Sequence, residues 1–171
     1  MITPAEFKSR FIALLPPVPP DLDLSLDEFA VFPKDRAASL RIADADRAFL
    51  TECGLPVDAA PFLNFGLDAE RALAPLDGFP DSAIIGSNNN GDAICIDQSD
   101  GAVVYYNHDD NMRRVFMNSS LALFAQSLCA FSALMRSKDA GAFREEVSRI
   151  DPPALMPGAF WLIEMEGTLA R

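Results

Sequence analysis

The residues of this chain with the clearest chemical potential are one histidine, three cysteines and a set of asparagines and aspartates clustered in turns. His108 lies between Asn107 and the pair Asp109-Asp110. A general base needs a positioned partner and a pocket, and no serine has the surroundings of a nucleophile elbow. His108 therefore reads as a solvated loop residue, and no catalytic residue is assigned. Cys53, Cys95 and Cys129 are scattered among apolar neighbours. They lack the paired spacing of a zinc site and read as free buried thiols of a reducing compartment. Asn88, Asn90 and Gly91 imitate part of a calcium loop. Gly86 stands where the first ligand belongs, however, and Asp97 replaces the long twelfth-position glutamate. Asp109-Asp110 without further ligands reads as hydrated charge, so no metal site is assigned. The run from Gly86 to Gly91 lacks the lysine of a phosphate loop, and no dinucleotide fingerprint occurs, so no cofactor is expected. Asn118-Ser119-Ser120 matches a glycosylation acceptor. Without a visible secretion signal, helix capping is the better role for it.

Binding is better supported than catalysis. Residues 72–112 contain seven aspartates and no lysine or arginine. The whole chain of 171 residues has a formal net charge of −11. Such a field attracts basic partners and opposes nucleic acid and anionic membrane surfaces. The plainer reading of the charge is solubility. The candidate partner-binding residues are Asn88, Asn89, Asn90, Asp92, Asp97, Asp100, Asp109 and Asp110, which fall on or beside the connections of expected strands. No run approaches the length of a membrane span, and the location expected is cytoplasmic.

The elements that must position these groups follow from hydrophobic period and punctuation. Thr3-Pro4-Ala5-Glu6 is a capping box opening a helix with Phe7, Phe11, Leu14 and Leu15 on one side. Pro16-Pro17-Val18-Pro19-Pro20 then enforces an extended connector. Residues 28–33 and 62–66 read as short strands. Asp44 or Asp46 begins a helix ended by Gly54. Strands at 83–86, 93–97, 103–106 and 114–117 have short connections, including the hairpin signal Asp100-Gly101. They predict an antiparallel meander over 83–117. A helix over 121–136 carries Leu121, Phe124, Ala125, Leu128, Phe131 and Met135 as its apolar stripe and covers one sheet face. Asp139 starts another helix, ended by Asp151-Pro152-Pro153. Residues 159–169 fit a helix, through Phe160, Trp161, Ile163 and Leu169, or an alternating strand. The expectation is one α+β domain over 1–171. Residues 1–20 form its first helix and connector, 28–136 its sheet and covering helix, and 139–171 a helical or mixed end.

The order of short motifs resembles the SUKH superfamily. Phe49-Leu50, Gly54-Leu55-Pro56 and Phe62-Leu63-Asn64-Phe65-Gly66 look like its opening. Ile85-Gly86, Gly91-Asp92, Ile94-Cys95-Ile96-Asp97, Gly101, Val103 and Asn107-His108-Asp109 continue it. Phe116-Met117-Asn118-Ser119-Ser120, followed by Leu121, Phe124 and Leu128, is the most telling piece. The likeness runs over about 46–135, with a weaker match at Phe160-Trp161, and points to bacterial immunity proteins of polymorphic toxin systems. It implies a sheet flanked by helices and a non-enzymatic role, binding and neutralising a cognate toxin. The shared Gly, Leu-Pro and Asn-Ser-Ser residues read as structural, so no contact residue transfers. A basic toxin, and within that class a nuclease, suits the acidic turns; neither the toxin's activity nor an oligomeric state is specified. A regulatory or scaffold interaction module is the alternative, and a small hydrolase or metal-dependent enzyme is disfavoured by the missing constellation.

Overall fold

The computed structural model describes residues 2–23 and 25–169, apart from the side chain of Leu169. The extreme ends of the expected 1–171 unit, and Leu169 as a packing residue, lie outside the described set. Helix α1 (Pro4–Leu14) starts as its capping box requires. The Glu6 amide donates to Thr3 Oγ1 at 3.3 Å, and the Thr3 amide donates back to Glu6 Oε2 at 2.8 Å. Phe7 and Phe11 are its buried side and meet Phe29 edge-on. Strand β1 (Phe29–Ala30) is shorter than the expected 28–33, because Pro33 already caps α2 (Lys34–Ser39), a helix the hydrophobic pattern does not announce. Helix α3 (Asp44–Ala48) passes into a π-type turn, Phe49–Cys53, which stops at Gly54. Gly54 has φ +72°, and a Cβ there would stand 2.0 Å from the Ala30 carbonyl oxygen. Only glycine lets β1 pair with β2 (Leu55–Pro56) at that approach.

The remaining strands form one antiparallel sheet. They are β3 (Asp58–Ala59), β4 (Leu63–Asn64), β5 (Pro75–Leu76), β6 (Phe79–Asn88), β7 (Ala93–Asp97), β8 (Val103–Asn107) and β9 (Arg113–Asn118). Their order is β3-β4-β6-β7-β8-β9, with β5 also on β6. The expected meander is therefore present as β6 to β9, with the boundaries of β7 as read. Two expectations are corrected. β6 begins at Phe79 instead of residue 83, because Asp77-Gly78 makes a tight turn that pairs Leu76 with Phe79. The strand expected at 62–66 shrinks to β4, because Phe62 adopts φ +60° at the β3–β4 turn and leaves the extended region. Gly86 permits the β4–β6 pairing: a Cβ would lie 2.6 Å from the Asn64 oxygen and 2.6 Å from the Phe65 ring.

Both faces of this sheet are apolar. Ala83, Ile85, Ile94, Ile96, Val103, Val115 and Met117 belong to the main core. Ile84, Cys95, Ala102, Val104 and Tyr106 form a second core on the reverse face, covered by Leu67, Leu76 and Phe79. The Phe79 and Tyr106 rings lie 4.4 Å apart. This explains why β7 reads as a near-continuous apolar run instead of alternating.

Helix α4 (Leu121–Ser137) lies between the sheet and two other helices, α1 and α5 (Ala140–Ile150). It is accordingly buried on more than the expected stripe: Ala122, Ser127, Cys129, Ala130 and Leu134 are covered as well. Met135 is a correction. It is 40 % exposed, because it faces an open groove beside the β3–β4 hairpin instead of the core that covers its neighbour Leu134. Residues 160–169 resolve the ambiguity at the chain's end as helix α6 (Phe160–Leu169).

A buried polar cluster joins these layers. Asn118 is fully covered, so it is no glycosylation acceptor in the folded chain. It donates to Ser127 Oγ at 3.1 Å and to Asp151 Oδ2 at 3.0 Å, and accepts from Trp161 Nε1 at 2.7 Å. Asp151 also accepts from the Ser119 amide and hydroxyl. Ser120 caps α4, accepting from the Leu123 amide at 3.3 Å. Asp46 reaches the same helix end and accepts from the Ala122 amide at 3.0 Å. Burial pushes the Asp46 carboxyl above its ordinary pKa, against those amide bonds.

Phe124 and Leu128 are fully buried, and Phe124 meets Phe65 and Trp161. Truncating either to alanine is expected to cost about 2–5 kcal/mol, read from denaturant midpoints; an unchanged midpoint refutes that packing. Asp151→Ala strands a donor of the buried Asn118 side chain and is expected to lose about 1–3 kcal/mol, measured by the same unfolding curves.

Candidate functional site

An antiparallel meander sends successive turns to opposite ends of the sheet. The β6–β7 and β8–β9 turns therefore share one end, and the β7–β8 turn lies at the other. This divides the candidate residues. Asn88, Asn89, Asn90, Asp92, Asp109 and Asp110 come together at one end. Asp97 and Asp100 stand at the opposite end.

At the first end, Asn88 and Asp92 hold the turns together. Asn88 Oδ1 accepts from the amides of Asn90 and Asp92, each at 3.0 Å. Its side-chain amide donates to Asp92 Oδ2 at 2.8 Å. Asp92 Oδ1 accepts from the His108 amide at 3.0 Å and faces His108 Nδ1 at 2.6 Å. One carboxylate, only 3 % exposed, thus ties the β6–β7 turn to the β8–β9 turn. Asn107 shapes the latter by accepting from the Asp109 amide at 3.0 Å. Burial raises the Asp92 pKa. The His108 amide, the Asn88 amide and the imidazole together outweigh it and leave the carboxyl below its ordinary value. The hydrogen bond to Asp92, and then the Asp109 charge, raise His108 above its ordinary value. Asn89, Asn90, Asp109 and Asp110 remain exposed.

At the second end, Asp97 is 8 % exposed and accepts from the Ser99 amide and hydroxyl. Arg114 reaches it from β9, with Nε 3.0 Å from Asp97 Oδ2 and Nη2 2.8 Å from Asp100 Oδ2. Arg113 likewise pairs with Asp110 at the first end. The stretch without bases is therefore partly neutralised by the two arginines that follow it. Sequence reading weighed neither, although two consecutive basic residues opening a strand beside acidic turns were the available signal. Asp109 has no arginine or lysine partner among the described residues; its near charge is His108 Nε2, 3.3 Å away.

The arrangement suits recognition by charge and shape. His108 is held by Asp92 and Asp109, and among the described residues no serine or cysteine hydroxyl or thiol is hydrogen-bonded to it. The three cysteines are buried, and burial pushes their thiols up, to about 11 for Cys53 and about 12 for Cys95 and Cys129. Among the described residues, no group of three or more histidine, cysteine or acidic side chains could hold a metal ion. No described helix is long and apolar enough to cross a membrane.

The His108–Asp92 pair has a definite pH dependence. A raised histidine pKa contributes stability that is complete below 6.5 and is lost as pH rises through the folded value. The lowered Asp92 pKa contributes above 3.8 and is lost as pH falls through its folded value. Between those limits both contributions are whole. An NMR titration of the imidazole is expected to give a midpoint above 6.5 that falls in Asp92→Asn. An unchanged midpoint in that variant rules out the coupling.

Comparison with curated proteins, and separately with solved structures, returned no match. A model of the SUKH-4 immunity protein family matches residues 24–166.

Proposed function

We propose, from the premise that this chain belongs to the SUKH-4 immunity protein family, that it binds a cognate toxin domain and neutralises it by contact alone. The family match over most of the chain carries this reading. The exposed acids supply its physical means. Asp100, Asp109 and Asp110 present charge to solvent, while Asp92 and Asp97 shape the turns that carry them. Long-range attraction of this kind accelerates encounter with a basic partner more than it tightens the final complex. A toxin that acts on nucleic acid fits best, because its substrate-binding surface must be basic and carboxylates can stand where phosphates would bind. Neutralisation then needs no turnover by this chain.

The experiment uses the product of the open reading frame adjacent to this chain's gene as the candidate toxin. Co-expression is expected to restore growth, and the purified partners are expected to associate. Asn in place of Asp100, Asp109 and Asp110 together is expected to slow association about tenfold at low salt, with a smaller change in dissociation. The difference is expected to shrink as salt rises, since exposed charges are screened over about 8–10 Å near physiological ionic strength. Absence of binding by the wild-type chain overturns the function. Unchanged association in the folded triple variant overturns the steering role alone.

A further inference from the structure

A groove of about 800 Å³ opens between the C-terminal parts of α1, α4 and α6 and the β3–β4 hairpin. Its walls are mainly apolar, with Leu14, Leu15, Ala59 and Leu63 among them. Two apolar side chains project at it without being covered. Phe62 is 65 % exposed and Met135 is 40 % exposed. Phe62 holds a backbone φ of +60°, a region that bulky side chains seldom occupy. Neither packing in the main core nor turn geometry calls for a phenylalanine there.

The charge around the groove has one prevailing sign. Asp58 and Glu164 line it, and a smaller hollow bearing Asp23 and Asp27 adjoins it through Leu15, Pro16 and Leu26. Among the described residues Arg136 is the only basic one lining either, and it donates to the Ala13 carbonyl at 3.2 Å. The groove also continues into the acidic sheet end, because Asn88 and Asn89 form part of its wall. An occupant must therefore bring apolar side chains to the floor and positive charge to the rim.

We propose that this groove is the docking site for an amphipathic, cationic segment of the protein partner. Apolar side chains at helical spacing lie against Phe62, Met135 and Leu15, and flanking lysines or arginines face Asp58, Glu164 and the Asn88–Asp92 turn. This is the helix-in-groove mode of recognition, with area from the apolar floor and orientation from the charged rim. The inference rests on the partner-binding function proposed above and assigns its contact surface. The acidic turns govern the rate of encounter, and the groove governs the lifetime of the complex.

The test uses the full chain, isotope-labelled, and two synthetic fifteen-residue peptides of about two heptads each. Both carry leucine at helical spacing, one with lysine and one with glutamate between. Phe62→Asn with Met135→Gln removes the apolar projections without changing charge. Asparagine tolerates positive φ and glutamine suits a helix, so the variant is expected to keep the wild-type circular dichroism and unfolding midpoint. The lysine peptide is expected to shift amide signals around Ala59–Leu63 and Met135. Its affinity is expected to fall at least about tenfold in the double variant, a difference of about 1.4 kcal/mol. The glutamate peptide is expected to bind at least about tenfold more weakly than the lysine peptide. Equal affinity of wild type and variant, signal changes confined to other faces, or no binding of the lysine peptide overturns the proposal. So does a dimer in sedimentation that the double variant dissociates, since a second copy would then fill the groove. With the adjacent open reading frame's product as probe, undiminished capture by the double variant retires the groove and leaves the neutralising function standing. Loss of capture by the wild-type chain removes that function instead.

Discussion

The N-terminus of α4 is the junction on which the rest of the molecule depends. Its free amide groups need acceptors, and burial denies them water. One acceptor is local, the cap Ser120 at the Leu123 amide, and one comes from a distant part of the chain, Asp46 of α3 at the Ala122 amide. Beside them Asp151, beyond α5, takes the Ser119 amide and the Asn118 side chain, and Trp161 of α6 closes on Asn118. Asp46, Asp151 and Trp161 thereby tie α3, the chain after α5 and α6 to the link between β9 and α4. The positive end of the helix dipole also favours the carboxylate of Asp46 there. From this junction α4 runs on against α1 and α5.

The same economy governs the acidic turns. Carboxylates nearest the backbone, Asp92 and Asp97, satisfy amides and organise turns. Those farther out, Asp100 and Asp110, meet the arginines of β9, and Asp109 faces His108. Ion pairs at such exposed positions contribute little to stability, about 0–1 kcal/mol each. The local field is set by the residual charge, which stays negative because seven acids in residues 72–112 meet few bases. A protein built this way keeps its fold when its outer acids change, so affinity for a charged partner can vary while the scaffold does not.

The groove and the turns meet at Asn88 and Asn89, and this adjacency gives the surface a direction. In the proposed binding, attraction acts over several ångströms and would bring a basic partner toward the sheet end. Apolar contact acts only at touching distance and begins where Phe62 and Met135 project. The asparagines between them carry no charge, and Asn88 hydrogen-bonds to its own turn. They hold the boundary between a charged and an apolar region at fixed geometry.

Local interactions were legible in the amino-acid order. The capping box at Thr3, the caps at Ser120 and Asp139, the boundaries of β7, the two-residue Asp100-Gly101 turn and the antiparallel meander all depend on residues a few positions apart. The superfamily likeness was legible for the same reason, since its motifs mark those turns and caps. Asp77-Gly78 was equally local, and the strand it opens went unread because Pro80 and Asp81 disguise β6. Tertiary structure decided what depends on approach in space. Asp46 resembled the cap of its own helix and instead serves α4, because the fold carries that helix end within 3.0 Å. Arg114 neutralises acids from the far turn because a long side chain crosses the sheet face. Phe62 and Met135 belonged to apolar patterns and became exposed, because one stands at a hairpin turn and the other faces the open groove instead of the core. Spacing along the chain states which side chains share a face; what that face meets depends on distances that only the packed chain sets.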